Sequence, residues 1–237
     1  MYANIKAAFE RADEILGDLE KEYEESLTKQ QVSARTMQLC HDLLEKVRSA
    51  LDRTARRYFE KHVAPSLSSE DREAASIYFP IASDEHSFNS IMGRWRWKAV
   101  KQQHVDFEGY LASQQPYANS TNHWLLQLNT LVNEGKHVDL SPQERVESRQ
   151  VTVTHPGGGG VSYGSGVRFG AGVRILGVPV DPRTQRVIPN DVVTEKITVW
   201  VDFKFTKHGN SALGFSREAL AKAKAIVEQM TVDFDLA

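Results

Sequence analysis

The chain has 237 residues, 29 basic against 31 acidic side chains and a formal net charge of −2, with 41% hydrophobic and 25% charged residues. Those values are ordinary for globular proteins and exclude wholesale disorder or a fibrous chain, while near-neutrality argues against a dedicated nucleic-acid binder. The single cysteine, Cys40, excludes an internal disulfide and a multi-cysteine zinc cluster. No apolar run approaches the ~18–20 residues of a membrane span. The N-terminal residues read as no secretory signal, so a cytoplasmic protein without membrane association is expected.

Two periodicities divide the chain. Residues 1–149 carry 19 basic and 23 acidic side chains and read as helix; residues 150–237 carry 10 and 8, hold most of the glycines and read mainly as strand. The first helix, roughly Ala3 to Lys29, repeats Ile5, Ala8, Phe9, Ala12, Ile15, Leu16, Leu19 and Tyr23 at helical steps. The second, about Ser33 to Val63, carries Met37, Cys40, Leu43, Leu44, Val47, Leu51, Ala55, Tyr58 and Phe59 on one stripe and ends before Pro65. Neither can bury its stripe alone, so the two are expected to pair antiparallel. A short helix follows a capping signal at Ser68-Ser69-Glu70 and breaks at Phe79-Pro80. Further helices are predicted over about Trp97–Ser113 and His123–His137, with a turn at Gln115-Pro116-Tyr117 between them.

Beyond residue 149, Gln150–Thr154, Val161–Tyr163, Val167–Phe169, Val173–Val180 and Ile197–Phe205 read as strands. Ser216 to Met230 reads as a closing helix with Ser216 as N-cap. The fold class is therefore α+β: an N-terminal antiparallel helical bundle over 1–149, then a small antiparallel sheet with a C-terminal helix over 150–237. The second part is expected to pack on the bundle, because ~88 residues with one helix make a thin core.

Several motifs have plain structural readings. Gly157–Gly160 lacks the following Lys-Ser/Thr and helix of a phosphate loop and fits a hairpin tip better than an anion-binding loop. The histidines form no metal-ligand spacing, and no metal or cofactor is expected. Cys40 lies on the apolar stripe and reads as a buried structural thiol. In Arg94-Trp95-Arg96-Trp97-Lys98, core tryptophans with snorkelling cations fit better than a base-stacking platform.

Two polar stripes are more informative. His41, Glu45, Arg48 and Asp52 follow at steps of four, three and four on the second helix, and Asn129, Asn133 and Lys136 or His137 share a face of the helix before residue 140. Packed together, these helices could bring Arg48, Asp52, Asn133 and His137 to one seam, with His137 as general acid/base beside a phosphate-holding Arg48. Arg48 and Asp52 could equally form a simple i,i+4 ion pair. A small-ligand sensor built on the sheet and glycine loop would instead show an apolar pocket near Trp200.

The segments Val47 to Arg53 (VRSALDR), Phe79-Pro80-Ile81, Gln115-Pro116-Tyr117 and Leu125 to His137 (LLQLNTLVNEGKH) occur in an order that resembles a group of uncharacterised bacterial proteins. That group reads LRSALDH, FPI, QPY and L-x-x-L-x-N-x-DKHR, and it is similar to the HEPN-like helical superfamily of RNases, toxins and non-catalytic partners. The resemblance implies a homodimer, an RNA or protein partner, and a setting in bacterial stress or phage defence. HEPN RNases use Arg-Asn-x-x-x-His, with Arg and His paired across the dimer at the scissile phosphate. Here Asn133 and His137 match, Lys136 matches the group's Lys, and Val132 stands where the motif Arg should be; Gly135 and Val138 also depart from the pattern. A valine cannot hold a phosphate, which favours a non-catalytic binding or oligomerisation module. The alternative is a metal-independent ribonuclease using Arg48, Asp52, Asn133, Lys136 and His137 across a homodimer. A second match, Arg57-x-x-x-x-His62, lies at the end of the other helix.

Overall fold

The computed structural model describes residues 2–137 and 140–236; the side chains of residues 2, 99, 135–137 and 200 lie outside that description. The architecture is α+β, with seven α-helices and two three-stranded sheets among the described residues. The chain divides into two compact units, residues 1–144 with 204–237, and residues 145–203. The boundary expected at residue 149 thus lies five residues earlier, and the closing helix belongs with the helical unit rather than with the sheet.

In the helical unit, α1 (Tyr2–Lys29) and α2 (Ala34–Tyr58) form the expected antiparallel pair. Ser33 caps α2 by accepting the Thr36 amide, and buried Ser26 meets Thr36 at 3.0 Å near the turn. At the far end Arg53 donates to the Asn4 carbonyl at 3.1 Å. Cys40, Leu43, Leu44, Val47, Ala50, Leu51 and Ala55 of α2 are all buried, as the stripe requires. The last turn of α2 widens into a π-turn, Phe59–Val63, before Ala64-Pro65 stops it.

Helix α7 (Ala212–Asp233) starts four residues before the sequence suggests. Ser211 is its N-cap, accepting the Gly214 amide, while Ser216 lies inside the helix and donates to the Ala212 carbonyl. Ser216 faces Cys40 at 3.1 Å, and Arg217 and Lys224 pair with Glu20 and Asp13 of α1 at 2.8 and 2.6 Å. The helix therefore runs parallel to α2 and antiparallel to α1.

Between α2 and α6 the chain forms α3 (Ser69–Ala74), capped by Ser68, then an extended stretch over 75–82, α4 (Glu85–Arg94) and α5 (Val105–Ser113). The predicted helix from Trp97 is shorter because two 3₁₀ turns, Trp97–Ala99 and Lys101–Gln103, replace its first half. Arg96 in the left-handed region, at φ 58°, starts that break. Trp95 and Trp97 are buried, and Phe107 stacks on Tyr58 with ring centroids 3.3 Å apart. The cations of the aromatic-basic run stay outside, Arg96 near Asp71 at 3.6 Å. Helix α6 (His123–His137) buries Trp124, Leu125, Leu128, Leu131 and Val132.

In the second unit β1 (Gln143–Thr154) is flanked by β2 (Gly160–Gly164) and β6 (Thr194–Phe205). The register places Val151 opposite Tyr163 and Thr154 opposite Gly160, and the Gly157–Gly159 turn joins the two strands. The predicted Val173–Val180 strand is a hairpin, β3 (Arg174–Ile175) and β4 (Val178–Asp181), because Leu176 and Gly177 both take positive φ. β5 (Arg186–Val187) completes that sheet, and 167–169 is loop. Val151, Val153, Tyr163, Ile175, Val178, Val180, Val187 and Val193 make the unit's core.

Candidate functional site

Arg48 and Asp52 lie one turn apart on α2, where their neighbours Val47, Ala50 and Leu51 hold the helix against the core. The guanidinium meets Asp52 twice, Nε to Oδ2 at 3.2 Å and Nη2 to Oδ1 at 3.0 Å. Nη2 also donates to the Phe79 carbonyl at 3.0 Å, while the Phe79 amide donates to Asp52 Oδ1 at 2.8 Å. The pair therefore binds both backbone groups of one residue, as a neighbouring strand would. Both side chains are largely buried, 14% and 22% exposed, so this is a shielded ion pair rather than a solvated one.

A second side chain holds the same segment from the other side. Buried Gln115 accepts the Ala82 amide at 2.9 Å and donates to the Pro80 and Leu111 carbonyls at 3.0 and 2.8 Å. Buried amides and carbonyls outside regular structure need such partners. Phe79 and Ala82 are thereby fixed in the core, and Tyr117 sets its ring against Phe88 at 6.4 Å. Arg48 and Asp52 from the first of the quoted segments, and Gln115 from the third, thus jointly anchor the second, the extended stretch that includes Phe79-Pro80-Ile81.

Beside this anchor a groove of about 910 Å³ opens between α2 and residues 73–78. Lys46, Arg53, Arg56, Glu45, Glu60 and Glu73 line it with both signs of charge, and Arg48 and Asp52 form part of its wall. Arg56 is paired with Glu60 at 3.0 Å, and Tyr78 stands 58% exposed at the lining. Glu45 belongs to the polar stripe read in the sequence and Arg53 to the first quoted segment, whereas nothing in the sequence singles out Lys46, Arg56, Glu60, Glu73 or Tyr78.

Arg48 and Asp52 are brought together, whereas Asn133 is exposed on α6 and is not among the groove's lining residues. The side chains of Lys136 and His137, and that of Trp200, lie outside the described residues. Val132, at the position of the missing motif Arg, is buried at 2% exposure. The second Arg-His match has other work: Arg57 donates to the Leu236 carbonyl at 3.4 Å and His62 sits 3.0 Å from the Phe234 carbonyl. With Lys61 bonded to Asp235, this turn holds residues 234–236.

Cys40 is fully buried, and that burial pushes its thiol from 9.0 up to about 11. His104 is held below its ordinary value, first by burial and then by nearby His62, and its Nδ1 lies 2.9 Å from the Tyr58 hydroxyl. Among the described residues no group of three or more His, Cys, Asp or Glu is arranged to hold a metal ion, and no helix is long and apolar enough to cross a membrane. Compared with protein-family models, with curated proteins and with solved structures, the chain matches none.

Proposed function

We propose that the protein is a non-catalytic binding or oligomerisation module of HEPN-like type, with its helical unit as the binding part. The observation that carries this reading is the state of Arg48. Its Nε and Nη2 are engaged by Asp52 and by the Phe79 carbonyl, and its remaining nitrogen, Nη1, is buried away from the surface. A cation that stabilises a scissile phosphate must be free to meet it. Val132, buried in the α6 core, cannot take that role either. The groove along α2 is the surface on which a polar partner segment would lie, since its walls carry both signs of charge around exposed Tyr78. A homodimer and a role in bacterial stress or phage defence belong to the same proposal and rest on the resemblance.

The test is incubation of the purified protein with labelled single-stranded RNA in a chelating buffer, beside His137→Ala and Arg48→Ala variants. Intact RNA with the wild-type protein supports the module. Cleavage lost in both variants would establish the ribonuclease in its place.

A further inference from the structure

The unit formed by residues 145–203 holds seven basic and five acidic side chains, and six of those seven cations are arginines. Arg145 is bonded to Glu147, Arg186 to Glu195 at 2.6 Å, and Arg174 to the Gly177 carbonyl at 2.8 Å. Arg149, Arg168 and Arg183 have no ion pair among the described residues, and all three line one concavity of about 350 Å³. They come from separate segments: Arg149 from β1, Arg168 from the loop after β2, and Arg183 from the turn between β4 and β5. Glu147, the acidic side chain of the lining, is the one already neutralised by Arg145.

The two loops are fixed rather than loose. Gln185 is buried and takes the left-handed conformation at φ 58°, which a non-glycine residue adopts only when its surroundings impose it. Its side-chain amide accepts the Phe169 N–H at 2.7 Å and donates to the Phe169 and Pro182 carbonyls at 3.1 and 2.6 Å. Its own backbone carbonyl accepts the Tyr163 hydroxyl at 3.0 Å. The residues next to Arg168 and Arg183 are thus tied to each other through one side chain. Asp181 adds to this by accepting the Arg183 amide at 2.8 Å and the Thr184 hydroxyl at 3.1 Å.

Three arginines set on anchored backbone around one concavity, none of them in an ion pair among the described residues, offer the chemistry that recognises a phosphate, through forked charge-assisted hydrogen bonds. We propose that this concavity binds the phosphate or diphosphate group of a small phosphorylated molecule. A small ligand fits better than a polynucleotide. The three cations surround one cavity instead of forming a stripe, and its aromatic lining residue, Tyr163, is buried with its hydroxyl engaged, leaving no ring for base stacking. The site does not depend on the role of the helical unit.

Calorimetric titration of the full chain with inorganic phosphate and with diphosphate tests it, at low and at high sodium chloride. Saturable one-site binding is expected, weakened about tenfold or more by Arg168→Ala and by Arg183→Ala and diminished by salt. Arg174→Ala, an arginine outside the concavity, should bind as wild type. Thermal melting of each variant checks that it is folded, and Arg168 and Arg183 are both exposed. Absence of saturation with both anions overturns the proposal, as does equal weakening by Arg174→Ala, which would mean diffuse attraction. Tighter binding of a single-stranded RNA oligonucleotide that displaces diphosphate would overturn it in favour of a polynucleotide site.

Discussion

Asp52 receives the Phe79 amide at 2.8 Å through Oδ1, the same oxygen that meets the Arg48 guanidinium at 3.0 Å. Two charged residues on a helix thereby take the place of a paired strand for an extended stretch that has none. The stretch matters because it carries Phe79 and Ala82 into the core between regular elements.

Removing Arg48 should therefore cost stability. Arg48→Ala removes both guanidinium contacts to the largely buried Asp52 and the bond to the Phe79 carbonyl. A loss of about 2–4 kcal/mol is expected, which for a chain of this size lowers the melting temperature by roughly 5–15 °C. Arg48→Lys should recover only part, because an ammonium cannot span Asp52 and the carbonyl in one plane. A wild-type melting curve for Arg48→Ala would contradict the anchoring role.

Gln115→Leu is expected to be as damaging as the Arg48 change although it conserves bulk. The Ala82 amide and Pro80 carbonyl would both stay buried without partners, at a cost of about 2–4 kcal/mol. Urea denaturation of the variant measures this, and a midpoint within error of wild type would count against it.

Cys40 should resist alkylation in the folded state and react on unfolding, since its thiol is buried and pushed up to about 11. A folded-state value raised above 9.0 means that the native protein keeps the proton longer than the unfolded chain. The stability this contributes is complete below pH 9 and is lost as the pH rises from about 9 to 11. Cys40→Ala should flatten that decline in denaturation midpoints measured across this range.

His104 titrates with the opposite sign. Burial, and then His62, hold its value below 6.5, so the unfolded chain takes up a proton that the native protein refuses. Its contribution is complete above pH 6.5 and falls away as the pH drops below that value. His104→Gln, which is neutral throughout, should shallow the acid limb of the stability profile. Identical acid limbs in variant and wild type would contradict the assignment.

Strong periodicity makes much of the helical unit legible: the α1–α2 pair, the Ser68 cap and α6 follow from stripes and capping residues read along the chain. Where local signals compete, tertiary bonds decide. Ser216 looks like a cap, but Ser211 takes that position and Ser216 turns inward to Cys40. Arg96 at φ 58° breaks a helix that the apolar spacing would continue. The i,i+4 spacing of Arg48 and Asp52 is visible, while their hold on Phe79 spans 31 and 27 positions and has no local trace. Arg149, Arg168 and Arg183 escape a linear reading for the same reason: nothing in sequence brings a strand, a loop and a turn to one cavity.

The most direct measurement of the central claim, that Arg48 anchors the fold and is not available to a phosphate, is RNA integrity after incubation with the metal-free wild-type protein. Full-length labelled RNA after prolonged incubation, beside a markedly lower melting temperature for Arg48→Ala, is the predicted result. RNA cleavage by the wild type, abolished in an Arg48→Ala protein that melts like wild type, would contradict it.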